Sequence, residues 1–157
     1  MHVPRFERAW IAISLATLAA FFITLLTLAV AAGVNPPSTD GLTIDPTKVS
    51  ETPPFDKPGL RQIGPHLYEA YYVGRIFQWT PHEIAVPTGS TVKFFITSVD
   101  VVHGFSIPDA DVNDEIMPGW VSEQDHTFKA PGDYLIVCNQ YCGAGHAGMY
   151  AHITVTP

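Results

Sequence analysis

Val92-Lys93-Phe94-Phe95-Ile96-Thr97 is the stretch that decides the fold. Val92, Phe94 and Ile96 alternate with Lys93, Phe95 and Thr97, and successive side chains of a strand point to opposite faces, so the period of two predicts a half-buried β-strand. Working outward, Leu67–Val73, His82–Val86, Val121–Phe128, Tyr134–Cys138 and His152–Thr156 are further strand candidates. Pro87-Thr88-Gly89, Pro118-Gly119 and Pro131-Gly132 separate them, proline presetting φ and glycine accepting positive φ. No run after residue 35 supports a long amphipathic helix. Regularly spaced short strands over roughly ninety residues predict a mainly β domain, a sandwich or small Greek-key barrel.

Upstream of His66 the texture changes. Prolines 36, 37, 46, 53, 54, 58 and 65, with Gly41, Gly59 and Gly64, interrupt residues 35–65. This reads as an extended tether or a strap over another surface. Farther back, Ala9 to Val34 holds no charged side chain. A helix over Trp10 to Val34 would rise roughly 37 Å, enough to cross a ~30 Å hydrocarbon core. Asn35-Pro36-Pro37 is the expected stop. Arg5 and Arg8 precede the span, and the segment after it is acidic apart from Lys48, which places the N-terminus in the cytoplasm and the rest outside. Ala29-Val30-Ala31 resembles a signal-peptide cleavage site, but the apolar run far exceeds a signal core of ~7–15 residues and favours a retained anchor. The expected organisation is an anchor over 1–35, a linker over 36–65 and a β-domain over 66–157.

Composition excludes several classes. Eight Lys+Arg against fifteen Asp+Glu give −7 over 157 residues, which argues against nucleic-acid binding. With 46% apolar and 15% charged residues, the chain is not disordered. Two cysteines exclude a disulfide-rich scaffold and a four-cysteine zinc site.

The chemistry concentrates in Cys138-Asn-Gln-Tyr-Cys142-Gly-Ala-Gly-His146-Ala-Gly-Met149. Two thiols, an imidazole and a thioether lie within this one loop between two strand candidates. Soft sulfur ligands with imidazole suit copper better than a hard cation. His103, after Val101-Val102 and before Gly104, is the candidate remote ligand. Two cysteines of an exported domain usually form a disulfide, but a disulfide has no use for His146 and Met149. A mononuclear blue-copper site needs only one cysteine, leaving Cys138 surplus. Two thiolates bridging two coppers, each with an imidazole and a weak axial donor, use every residue. Such a site has no open position for substrate and suits electron transfer.

Cys-x3-Cys-x3-His-x2-Met, the upstream Asp100-Val-Val-His103-Gly-Phe and the intervening Pro118-Gly119 resemble subunit II of cytochrome c oxidase. The single N-terminal span and Cys-Asn-Gln-Tyr-Cys look like the B-type haem–copper oxidases. The resemblance implies a cupredoxin-like domain on the outer membrane face that holds a binuclear copper A centre. By that resemblance His103 and Met149 serve one copper, His146 and the Gln140 carbonyl the other, and Cys138 and Cys142 bridge them. It further implies electrons received from cytochrome c and passed to haem in a larger subunit, which reduces oxygen to water and translocates protons. The copper A subunit of a nitric oxide reductase and a membrane-anchored copper-binding or delivery protein are the alternatives.

Many family members carry Glu at the position of Gln140, where it helps bind magnesium, so that magnesium site is not carried over. Phe77 and Trp79 are what remains of an aromatic stretch, as electron-transfer candidates or as core. His2, His66, His82, His126 and His152 match no motif position. From Asp100 to Asp133 the chain has eight acids and only Lys129 as a base. Asp111, Asp114 and Glu115, interleaved with Ile116, Met117 and Trp120, are therefore candidates for docking a basic donor.

Overall fold

The computed structural model describes residues 4–31 and 42–157, which form two separate compact units. The first is one α-helix, α1 (Arg5–Ala31), with no buried residue. Its 27 residues rise about 40 Å, enough to cross a bilayer core. The hydroxyls of Thr17, Thr24 and Thr27 donate to the carbonyls of Ile13, Ala20 and Ile23 at 2.8–2.9 Å. Each is thereby satisfied within the helix, as a lipid surrounding requires. The expected stop at Asn35-Pro36-Pro37 lies outside the described residues.

The second unit is a mainly β sandwich of two five-stranded sheets. One sheet runs β1 (Gly59–Gly64), β2 (Leu67–Arg75), β5 (Thr91–Ser98), β8 (Ser122–Thr127), with β3 (Gln78–Thr80) also paired to β2. The other runs β4 (Glu83–Pro87), β10 (Tyr150–Thr156), β9 (Gly132–Val137), β6 (His103–Ile107), β7 (Val112–Ile116). The β2–β5 and β4–β10 pairs are parallel; the other pairs are antiparallel.

The alternation in β5 sets the interior. Val92, Phe94 and Ile96 are completely buried between the sheets. Phe105 of β6 meets Trp79, Tyr72 and Phe94 at ring-centroid distances of 5.1, 5.1 and 5.8 Å, and the first two are edge-on, a favoured aromatic geometry. This cluster fixes β6 against the opposite sheet, two residues beyond His103.

Phe95 points the other way, and the segment before β2 explains why an outward phenylalanine is tolerated. Ile44, Val49 and Phe55 pack with Tyr71 and Val121 into a second core, with Val73, Phe95 and Val99 against it. Tyr71 stacks on Phe95 at 5.1 Å, and Phe55 meets Tyr71 edge-on at 5.6 Å. Main-chain bonds Ile44 N–Gly119 O (3.1 Å) and Val121 N–Leu42 O (2.9 Å) fasten the start of this segment. The folded unit therefore begins by residue 42, not at 66, because residues 42–58 carry the cover over the outer face of the β2–β5 sheet and residues 59–64 form its edge strand β1.

Four strands lack a legible pattern. β6 is buried at every position, so it shows no alternation. β7 is apolar only at its ends, β3 has three residues, and β1 carries exposed Arg61 and Gln62 on an edge.

Burying Ile44, Val49 and Phe55 stabilises by roughly 1.5–3 kcal/mol each, against a total domain stability of about 5–15 kcal/mol. A fragment of residues 42–157 should unfold cooperatively in urea, whereas one of residues 66–157 should show no cooperative transition. Equal midpoints for the two would contradict the second core.

Candidate metal centre

Two adjacent strands bring the sequence-predicted ligands together. His103 opens β6, and Cys138 directly follows β9, which pairs with β6 at Ser106↔Val137. The chain then loops through residues 138–149 and returns as β10, beside the strand it left. Cys138 N donates to Met149 O at 3.1 Å, closing the base of the loop. Inside it, His146 N donates to Gly143 O and Met149 N to His146 O, both at 3.1 Å, around a short 3-10 turn at His146–Gly148.

The side chains converge on two sulfurs. Both cysteines are free thiols, with Sγ atoms 3.7 Å apart. Cys138 Sγ lies 3.9 Å from His103 Nδ1 and 3.3 Å from the Gln140 carbonyl oxygen. Cys142 Sγ lies 3.6 Å from His146 Nδ1 and 3.8 Å from Met149 Sδ. Among the described residues, His103, Cys138 and Cys142 form the metal-compatible group, their ligand atoms within 4.8 Å of one another. His103 is fully buried, while His146 is half-buried beside exposed Tyr141, with ring centroids 5.9 Å apart. Thiols and imidazoles in this mixture fit copper in preference to magnesium or calcium.

Asp100 prepares His103. Its Oδ1 lies 3.0 Å from His103 Nε2, so Nε2–H donates and the Nδ1 lone pair is left facing the thiols. Partial burial alone would raise the Asp100 pKa. The Ile76 and Val101 N–H bonds (2.8 and 2.7 Å) and the His103 contact outweigh it and hold the carboxyl below its usual range. Burial, followed by the neighbouring Cys138, pushes the Cys142 thiol up to about 11. A cation must therefore displace its proton at neutral pH.

Two close approaches explain glycine in this region. A Cβ on Gly104 would strike the Asn139 side chain and come within 2.8 Å of Gln140 N. A Cβ on Gly145 would strike Phe77, whose ring lies against the loop, while one on Gly143 would crowd the same ring at 3.0 Å and strain a backbone at φ +132. Phe77 remains 37% exposed, in contact with the loop. Trp79 is completely buried against His103 and Phe105.

The docking candidates separate. Asp111, Asp114, Glu115, Met117 and Trp120 lie on or beside the edge strand β7 with exposed or half-exposed side chains. Ile116 does not: it is a fully buried core residue, which removes it from the docking candidates. The β7 pleat turns Val112 and Ile116 inward and Asn113 and Glu115 outward. Sequence reasoning gave no role to Asp100 or Asn139; the Asp-x-x-His spacing was the available signal for the first.

Gly104→Ala should fold yet load little metal, since the added methyl displaces the loop rather than the sheets; full loading would contradict the close approach. Copper uptake by the metal-free chain should release protons and weaken as pH falls, because protons compete for the thiols. Proton release in weakly buffered solution measures this, and uptake independent of pH would contradict it.

The comparisons with known proteins agree with this architecture. The family model "Cytochrome C oxidase subunit II, periplasmic domain" matches residues 74–156. Cytochrome c oxidase subunit 2 of Thermus thermophilus is 40% identical over 153 residues, covering 96% of this chain and 91% of the relative. A chain of a haem–copper terminal oxidase dimer solved by cryo-EM is 31% identical, covers 96% of this chain and 99% of its own length, and has a TM-score of 0.76. The periplasmic domain of cytochrome oxidase subunit II of Bradyrhizobium japonicum shares the cupredoxin-like fold at 22% identity and a TM-score of 0.52, covering 56% of this chain and 83% of its own. With matching sequence along nearly its whole length, the chain belongs to the cytochrome c oxidase subunit II family.

Proposed function

We propose that this chain is the electron-entry subunit of a terminal respiratory cytochrome c oxidase. In this reading Cys138, Cys142, His103, His146, Met149 and the Gln140 main-chain carbonyl hold two copper ions. Bound there, the copper pair supplies a one-electron carrier whose charge is shared over two metals and two sulfurs. The chain takes electrons from a cytochrome c-type donor and passes them to haem in a larger partner subunit. Oxygen reduction to water and proton translocation belong to that partner. Helix α1 anchors the chain with its N-terminus in the cytoplasm and the β-domain on the outer face.

The observation that carries the reading is two unbonded thiols 3.7 Å apart, each with one imidazole Nδ1 and one weak donor in contact. A mononuclear blue-copper site requires only one cysteine. The chain's own residues act by holding this set still: the sheets bury His103, Cys138 and Met149 from water, and Asp100 fixes the His103 tautomer. A delivery protein needs accessible ligands that release their cargo, which this burial disfavours. The neutral Gln140 amide donates to Glu115 Oε2 at 3.4 Å, and magnesium is not part of the reading.

The donor approaches the β7 edge, where Asp111, Asp114 and Glu115 supply negative charge and Met117 and Trp120 supply apolar contact. Met117 directly follows Ile116, the cross-strand partner of His103. Charge steers encounter more than it sets affinity.

Isolating the chain from its native membranes should bring a haem-bearing subunit with it, and reduced donor should then reduce that haem rapidly. Cys142→Ser should slow this by more than about a hundredfold, since even outer-shell changes at metal sites cost roughly 10–100-fold. Absence of haem, or an unchanged rate in the variant, would overturn the reading. Neutralising Asp111 and Asp114 should lower the donor rate at low ionic strength and change little at high salt; a rate indifferent to both would leave docking to the apolar residues.

A further inference from the structure

Residues 139 and 140 leave the sheet between the two cysteines, and their side chains are held by β7. Asn139 N donates to Gly104 O at 3.3 Å. Asn139 Nδ2 donates to Asn113 Oδ1 at 2.8 Å. Asn139 Oδ1 lies in the space that only a glycine at 104 leaves open. Gln140 Nε2 reaches Glu115 Oε2 at 3.4 Å. On the other side, Cys138 N is tied to Met149 O at 3.1 Å. The Gln140 carbonyl belongs to the next peptide, directly after these tied residues, and its oxygen stands 3.3 Å from Cys138 Sγ.

We infer that Asn113 and Asn139 are positioning residues, a clamp from the edge strand that fixes the direction of the Gln140 carbonyl. The inference rests on the reading of that carbonyl as a weak ligand. A main-chain oxygen has no side-chain torsion by which to aim itself, so its direction follows from how residues 139 and 140 are held. Asn113 and Glu115 are on the outward face of β7, alternate positions of one strand, and both reach the loop. The edge strand therefore has a second role beside any donor docking. Weak axial donors tune the potential of copper–thiolate sites, and the residues that orient ligands tune it through them. The Asn113–Asn139 bond is exposed, so its loss should loosen the loop without unfolding the sandwich.

The test uses the full chain in detergent, as wild type, Asn113→Ala, Asn139→Ala and the double variant. All four should give the same β-sheet circular dichroism. In the copper-free state, amide hydrogen exchange across residues 139–142 should accelerate roughly two- to tenfold in each variant, the factor expected from one hydrogen bond's net contribution. In the copper-loaded state, each single variant should shift the reduction potential and the copper hyperfine couplings. The double variant should shift them no further, because both residues act through one bond. Wild-type exchange rates in the variants would overturn the clamp. Faster exchange with unmoved potential and couplings would overturn its action on the carbonyl, and additive shifts would overturn the shared bond. A wild type that binds one copper would refute the two-copper reading, while the copper-free exchange would still decide the clamp.

Discussion

Two thiols held in contact without bonding are the arrangement on which the rest of the molecule depends. At 3.7 Å the Cys138 and Cys142 sulfurs are far beyond the ~2.05 Å of a disulfide, yet close enough for one ligand set to serve both. Holding them there requires a loop whose two ends are fixed, and adjacent strands provide this. Cys138 directly follows β9, Met149 directly precedes β10, and a main-chain bond joins the two residues. The loop cannot open without disturbing the β9–β10 ladder.

The sandwich extends that control to His103. Phe105, two residues farther along β6, points into the aromatic cluster with Trp79, Tyr72 and Phe94, so β6 cannot slide without dismantling the core. Trp79 backs the His103 ring, and Asp100 holds its Nε2. His103 is thus fixed by packing and by a hydrogen bond together, whereas His146 sits in a surface turn. One imidazole is fully buried and the other is half-buried beside exposed Tyr141. That asymmetry suits a carrier that receives an electron from one neighbour and delivers it to another. Burial also pushes the Cys142 thiol up to about 11, so without a cation the site holds a protonated thiol in place of a thiolate, and a binding cation must displace that proton.

The fold class was legible because Val92, Phe94 and Ile96 of β5 recur at every second position despite the outward Phe95, and because proline–glycine turns bound the later strands. β6 was not legible, since a strand buried at all five positions has no period to read. Residues 42–64 were ambiguous for another reason: proline-rich sequence describes a tether and a strap equally well. Only the outward Phe95 and Tyr71, which require a cover, separate the two. Within the site, sequence reasoning proposed the two thiols, His146, Met149 and the remote His103, and the structure brings these side chains together. It could not identify Asn139 or Gly104, whose roles depend on β6 and β7 lying beside the loop. Ile116 was misplaced because an apolar residue among acids looks like a surface patch until the pleat of β7 turns it inward.

The central claim, one electron carrier made from two coppers and two sulfurs, is tested most directly by counting copper in the loaded chain and recording its electron paramagnetic resonance spectrum. The account predicts two coppers per chain and a many-line hyperfine pattern from one unpaired electron shared equally by both nuclei. One copper per chain, with the hyperfine pattern of a single nucleus, would contradict it.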